Sequence, residues 1–443
     1  MLTSNLIMES KYDEKHTVDQ YESQDIKSDT ESGIAHVEEY QQAAARHGSG
    51  SSFLAYFNVV CVIAGTGTLG LPAALKLGGW IGLLILFLSW TMSIYTGCIL
   101  IKCLYAFQGR RLESYKEIAT SAFGKIGGWI IFFFNAWILL GAPILYVLLA
   151  GQNLHSLLIN TSAALTDVQW KIIVACIILI PFVVVKNMKE VAFMSAVGAL
   201  ATVICVFIVL IVSLEDKPNY PNVEHDIVIW NQFPIALSTI SFSFGGNVVY
   251  PHVEASMSKP RQWKWVVTAG LSTCAALYFM TAVPGYYVYG VETLSPIYEN
   301  LPEGAAKITA MVVITIHVIL AAPILITSFA LDMEYILGIT VEQRGKTLEF
   351  VFRTINRVVI LAFVTVVACV VPYFSDIMSL VGSFSNCMCT FAFPVLCYLK
   401  LTGIRNKPFY ELAWCALCVL LGLVGLIFGT IDSVKALIAD FTG

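Results

Sequence analysis

The sequence predicts an all-α integral membrane protein of eleven transmembrane helices, built as two inverted five-helix repeats with one further helix. Three observations carry this: a composition too apolar for a soluble core, eleven stretches of spanning length, and two helix breaks that recur at one spacing. Of 443 residues, 57% are hydrophobic and 13% charged, against a usual charged share of about 25%. So much apolar surface needs lipid as its solvent.

The chain opens with a tail, residues 1–51, expected to be disordered, acidic and cytoplasmic. Between Met1 and Arg46 it holds ten Asp or Glu against four Lys or Arg, with no apolar periodicity. It lacks the basic start, apolar run and cleavage site of a signal peptide, so the first span serves as the insertion signal. Lys11, Lys15 and Lys27 offer places for sorting or ubiquitin signals, although a charged segment without a role is the plainer reading. The twelve cysteines fall inside apolar runs with no His or carboxylate beside the closest pairs. They read as small buried hydrophobes, and no disulfide framework, metal or cofactor is expected.

The spans follow in order, separated by polar or Gly/Pro punctuation: Phe53 to Leu75, Trp80 to Tyr105, Ile126 to Leu154, Trp170 to Val185, Val191 to Leu214, Phe233 to Met257, Trp265 to Tyr289, Ala305 to Leu331, Phe350 to Tyr373, Ile377 to Leu399 and Leu412 to Ile431. With the tail in the cytoplasm, 21 of the 26 Lys and Arg residues fall on the cytoplasmic side. The positive-inside rule therefore places the amino terminus inside and the carboxyl terminus on the extracellular or lumenal side. The sequon at Asn160 lands on the non-cytoplasmic side, where glycosylation is possible.

The first span contains "VIAGTGTLGLPAA", Val62 to Ala74, and the sixth "SFSFGGNVVYPH", Ser241 to His252. Phe53 precedes Gly65 by twelve residues and Phe233 precedes Gly245 by twelve, an offset of 180 residues. At the same offset the tetrapeptide Ala142-Pro143-Ile144-Leu145 recurs as Ala322-Pro323-Ile324-Leu325. Residues 52–214 and 233–402 thus read as two five-span repeats, with 407–432 holding the extra helix. Five is odd, so the second repeat enters the membrane from the opposite side, the inverted plan of secondary transporters. About eleven helical residues before each glycine rise roughly 16 Å, half of a hydrocarbon core of about 30 Å. Both breaks are expected at the midplane.

Unwound backbone survives in lipid only where it is buried or lines a cavity. A kink without a ligand is the alternative for either break alone, but two in register favour a site. The free N–H groups after Gly65 suit a carboxylate, and carbonyls around Ser241 to Phe244 suit an ammonium. The candidate substrate-binding set is Ala64, Gly65, Thr66, Gly67, Thr68, Leu69, Gly70, Tyr146, Ser241, Phe242, Phe244, Gly245 and Asn247. Phe242, Phe244 and Tyr146 are offered as walls of a side-chain pocket, with lipid-facing or packing roles as the alternative. No clear charge pair exists to neutralise a charged side chain, so the substrate is expected to be a neutral amino acid. Candidates for proton coupling are Glu254, His252 and His317. Glu254 reads equally as a solvent-reaching carboxylate at the cytoplasmic mouth, and His317 as a hydrogen-bonded packing residue. Asp332, Glu190 and Asp376, near span ends, are expected to be solvated.

Three stretches, "AGTGTLGLPAALKLGGW", "SYKEIATSAFGKIGG" (Ser114 to Gly128) and "FGGNVVYPHVEASMSKP" (Phe244 to Pro260), resemble the amino acid/auxin permease family. That family is a branch of the amino acid-polyamine-organocation superfamily with the LeuT-like fold. The resemblance runs over about residues 50 to 430 and is greatest to the proton-linked vacuolar and vesicular branch and its fungal permease relatives. It implies transport of small amino acids by alternating access, with substrate held by the broken first and sixth spans and shaped by the third. Tyr146 and Asn153 match the family's third-span pattern. The sodium-coupled branch holds its ion with an Asn in the first span and a Thr in the eighth. The matching places here, Cys61 and Ala321, offer no strong oxygen ligand, which favours a proton as the coupling ion.

The expected function is a proton-coupled secondary transporter in the plasma membrane or a vacuolar or vesicular membrane. The alternatives are an amino acid sensor on the same fold or a sodium-coupled transporter. A channel would need charged rings or a filter loop, and an enzyme a nucleophile and base at usable spacing; neither stands out. Apart from the substrate and the bilayer no partner is expected, nucleic acid included, and the oligomeric state stays open.

Overall fold

The computed structural model describes residues 48–107, 110–185, 188–405 and 407–442. Residues 1–47 of the expected tail, with Lys11, Lys15 and Lys27, lie outside the described residues. The described chain is helical, with only two isolated β-bridges. Nine of its helices are long and apolar enough to cross a membrane, and ten if a bent pair near the start counts as one. The protein is a multi-pass membrane protein.

Helix α1 (Ser52–Ile63) is capped by Ser51, whose Oγ accepts from the Leu54 N–H at 3.2 Å. It stops at Ala64 and Gly65, and α2 (Thr66–Gly78) leaves at an angle of 43°. Then come α3 (Gly82–Leu104), α4 (Tyr115–Leu158), α5 (Asp167–Val184) and α6 (Ala192–Asp216). A second interrupted pair follows: α7 (Phe233–Ser243), too short to cross alone, and the six-residue α8 (Tyr250–Ala255). The remainder is α9 (Trp263–Tyr289), α10 (Ala305–Ile336), α11 (Val341–Val370), α12 (Phe374–Val381), α13 (Phe393–Thr402), α14 (Phe409–Val424) and α15 (Thr430–Thr442). π-helical turns over Gly382–Ala392 and Gly425–Gly429 join α12 to α13 and α14 to α15, so each pair runs as one span.

Three limits differ from the expected ones by about nine residues or more. The third span starts at Tyr115 rather than Ile126, because Ser114 caps a helix there and Gly124, at φ 75°, redirects it without ending it. The ninth begins at Val341 on a Thr340 cap and turns at Gly345, φ 73°. The last helix continues to Thr442, where Tyr373 Oη donates to the Asp440 carbonyl at 2.8 Å.

The two interrupted helix pairs, α4, α10 and the span from α12 to α13 form the centre, while α5, α11 and α14 to α15 present most of their surface outward. Helices that are apolar all round fit either place. What sorts them is small and polar residues: Ser195 donates to Asn58 Oδ1 at 2.6 Å, joining α6 to α1. The chain before α1 also pairs with the chain after α8, Ser258 N–H donating to the Gly50 carbonyl at 2.8 Å. The outer ends of the two interrupted pairs are thereby tied together.

Candidate substrate site at the paired helix breaks

The two breaks touch. A Cβ on Gly67 would lie 2.7 Å from Ser243 Oγ and 2.8 Å from Ser243 Cα, closer than atoms pack, so only glycine lets α2 approach α7 this nearly. Tyr278 of α9, fully buried, stands where both first half-helices end, its hydroxyl within hydrogen-bonding reach of the Ile63 and Ser243 carbonyls. Asn386, in the π-helical turn, donates its amide to the Ser241 carbonyl. Polar side chains from neighbouring spans thus take up backbone groups that the breaks leave open.

Between the breaks is a cavity lined by Gly65, Thr66, Gly67, Tyr146, Phe242 and Gly245, with Val62, Ile63, Ile138, Ala142 and Leu325 completing it. It is small, about 20 Å³ in volume. That is room for about one water, so the site is shut. Its lining carries no formal charge. Ala142 and Leu325 are the first and last residues of the repeated Ala-Pro-Ile-Leu.

At the amino end of α2 no side chain caps the helix. Thr68 N–H turns back to the Gly65 carbonyl at 3.1 Å, and the Thr66 and Gly67 N–H groups find no acceptor among the described residues. Thr66 Oγ1 is likewise buried without a partner. Donors and the positive end of a helix dipole suit an anionic group. The carbonyls expected to be free at the second break are already engaged: Ser241 accepts from Phe244 N–H at 2.9 Å, Phe242 from Gly245 N–H at 3.1 Å and Phe244 from Gly246 N–H at 2.8 Å. Ser243 is met by Tyr278. Tight turns inside the break, invisible as pattern, consume them.

His317 supplies an acceptor instead. Its Nδ1 lies 2.8 Å from the Gly198 carbonyl and 2.8 Å from Thr202 Oγ1. A carbonyl only accepts, so Nδ1 carries the proton and Nε2 keeps a lone pair in the neutral ring. Nε2 is buried, unpartnered and turned to the first break, 3.0 Å from where a Gly65 Cβ would be, with Tyr146 Oη at 2.9 Å from the same point.

The other expected residues are placed elsewhere. Phe244 packs edge-on against Tyr278, ring centroids 5.2 Å apart. Asn247 ties α3 to the π-helical turn through Thr96 Oγ1 (3.3 Å) and the Thr390 carbonyl (3.1 Å). Gly70 abuts Met378, and Ala64, Thr68 and Leu69 are buried away from the cavity lining. Asn153 accepts from Tyr298 Oη at 2.7 Å and donates to Thr315 Oγ1 at 3.1 Å. Asn160 lies in an exposed turn after α4.

Glu254 is buried rather than solvent-reaching. Its Oε2 accepts from Arg111 Nη2 at 2.7 Å and Nε at 3.0 Å, and Tyr105 Oη donates to Oε1. On the same short helix His252 Nε2 lies 3.2 Å from Asp332 Oδ1. Asp332 is 5% exposed and not solvated as expected, because α8 and α4 close over the inner half of α10. The Arg111–Glu254 ion pair and the His252–Asp332 contact therefore both hold α8. Sequence reading missed Tyr278, Asn386, Arg111 and Asp332 as site neighbours. An Asn inside a span was a usable signal for Asn386, whereas one tyrosine among nineteen gave none.

The chain and its fold have known counterparts. The family described as transmembrane amino acid transporter protein matches residues 48–435. Among curated relatives, amino acid transporter AVT1J of Arabidopsis thaliana is 28% identical over 87% of this chain and 91% of its own. AVT1E is 28% identical over 87% and 73%, and lysine histidine transporter-like 4 of the same plant 27% over 91% of both. Among solved structures, the nucleobase-cation-symport-1 family transporter Mhp1 in a closed conformation superposes with a TM-score of 0.58 at 12% identity, covering 89% of this chain and 94% of its own. A Na+-coupled sialic acid symporter gives 0.55 at 11% identity over 87% and 90%. Transporter folds are thus its structural neighbours, and by the length of the match the chain belongs to the transmembrane amino acid transporter family.

Proposed function

We propose that the protein is a secondary active transporter of neutral L-amino acids, coupled to protons and working by alternating access on a LeuT-like plan. Its eleven spans would comprise two inverted repeats of five, with α1–α2 and α7–α8 as the broken first and sixth, and one further span. The observation that carries this reading is the small cavity where the breaks meet, with the uncapped α2 donors and, beside Gly65 at the same break, the His317 Nε2 acceptor. Such a pair suits the carboxylate and ammonium of an amino acid. An uncharged lining of Ile138, Ala142, Tyr146, Phe242 and Leu325 favours a small neutral side chain.

Proton coupling is supported by what surrounds Cys61. A Cβ on Gly198 would lie 2.9 Å from Cys61 Sγ and 3.5 Å from His317 Nδ1. An imidazole one helical turn before Ala321 thus occupies the neighbourhood in which the sodium-coupled branch holds its ion. Cytoplasmic opening would require α8 to leave Arg111 and Asp332, and protonation of Glu254 would weaken the first contact.

The test is uptake of labelled neutral amino acids into proteoliposomes under an imposed pH gradient, then under a sodium gradient. Uptake driven by pH and indifferent to sodium, with its pH dependence altered in His317→Gln, is the expected result. Uptake driven by sodium alone overturns the coupling assignment, and binding without flux moves the protein to the sensor class.

A further inference from the structure

A larger cavity, of about 500 Å³, lies on the other face of α4 from the substrate site. Four helices enclose it: α4 through Phe133 and Trp137, α11 through Phe363 and Val367, α12 through Leu380 and α15 through Leu437. It has only α4 in common with the substrate site, which that helix lines with Ile138 and Ala142 instead. Of its thirteen lining residues only Trp137 carries a polar side-chain atom. What fills it is therefore hydrocarbon. Phe133, Trp137 and Phe363 are exposed, so the cavity opens toward the bilayer. From Phe133 to Ile144 its α4 wall rises roughly 16 Å, one leaflet of hydrocarbon.

One helical turn beyond this lining the surroundings become acidic. Asp376 precedes Leu380 by four residues in α12, and Asp440 follows Leu437 by three in α15, so both stand on the cavity sides of their helices. Their carboxyls are within hydrogen-bonding reach of each other. No amide, amine or alcohol donor among the described residues reaches the buried Asp376 Oδ2. Lys435, the one cation of α15, pairs with Asp432 at 3.5 Å.

We propose that this cavity binds a sterol, its fused rings against Phe133, Trp137 and Phe363 and its hydroxyl donating to the Asp376 and Asp440 carboxyls. The two carboxyls accept a hydrogen bond from a hydroxyl and repel a phosphate, which sets a sterol above a phospholipid. Rigid aromatic walls suit an equally rigid ring system better than a flexible chain, which loses more freedom on binding. The site does not depend on what the protein transports, and its occupant braces α4 behind the substrate cavity.

The experiment measures thermal stabilisation of the purified full chain in detergent by cholesterol, by cholestenone, whose ketone cannot donate, and by the single-chain amine sphingosine. Cholesterol should act at a midpoint about tenfold below that of cholestenone, the worth of one hydrogen bond to a charged group. Sphingosine should act no better than cholestenone. Asp376→Ala with Asp440→Ala should raise the cholesterol midpoint to that of cholestenone and leave the ketone's own midpoint unchanged. Val367→Trp, which fills the cavity, should abolish both sterol responses while unfolding no earlier than the unaltered protein in their absence. Equal midpoints for the two sterols, no response to either, or a cholesterol preference that survives the Ala pair overturns the inference. A sphingosine midpoint below that of cholesterol would make this a site for cationic amphiphiles and overturn it as well. Should Val367→Trp fail to fold, the comparison of the two sterols and the Ala pair still decides.

Discussion

Gly65 is the position where one added carbon does the most. A Cβ there would press on Tyr146 Oη at 2.9 Å and His317 Nε2 at 3.0 Å, two buried polar atoms beside the first break. A valine adds two further methyls, and overpacking of this kind costs about 1–3 kcal/mol. Gly65→Val is expected to reduce uptake to background while the protein still reaches the membrane. Uptake assays beside a membrane-fraction immunoblot check this, and normal uptake would remove Gly65 from the site. This residue was legible in the sequence because glycine clustered inside an apolar span has few other uses. The His317 acceptor was not, since a lone histidine looks the same whether its second nitrogen is paired or open.

At the scale of the element, α8 is a six-residue helix held by two contacts. Arg111 and Glu254 have side chains 2% and 0% exposed, and removing one partner of such a pair costs about 3–5 kcal/mol by stranding the other. Arg111→Met should therefore lower the unfolding temperature in detergent markedly, and Arg111→Met with Glu254→Met should recover most of the loss. An unfolding temperature for Arg111→Met equal to that of the unaltered protein would show that the pair is not closed in solution. The sequence marked Glu254 as unusual by its place in a span. It could not show that Arg111, 143 residues away, neutralises it, because chain separation carries no information about which loop folds over which helix.

For the whole molecule, the distribution of Lys and Arg makes a prediction that the helix packing does not. The two termini should lie on opposite sides of the membrane, with Asn160 on the side of the carboxyl end. Membrane-impermeant labelling of single cysteines introduced at Ser4 and Gly443 in a background lacking native cysteines tests this. Labelling of both from one side would overturn the odd span count.

What the sequence determined by itself was whatever follows from local composition and spacing: membrane residence, an all-helical chain of apolar segments, and the glycines at which helices stop. Each rests on short-range rules, apolar length against bilayer thickness and glycine against helix continuity, which need no partner. The tertiary structure alone decided which backbone groups at the breaks remain open. The carbonyls of the second break, free by local reasoning, are taken by turns, Asn386 and Tyr278, while the amino end of α2 and His317 Nε2 stay unpartnered. A buried polar group is satisfied or not by whatever packs against it, and that is settled by contacts between residues far apart in the chain.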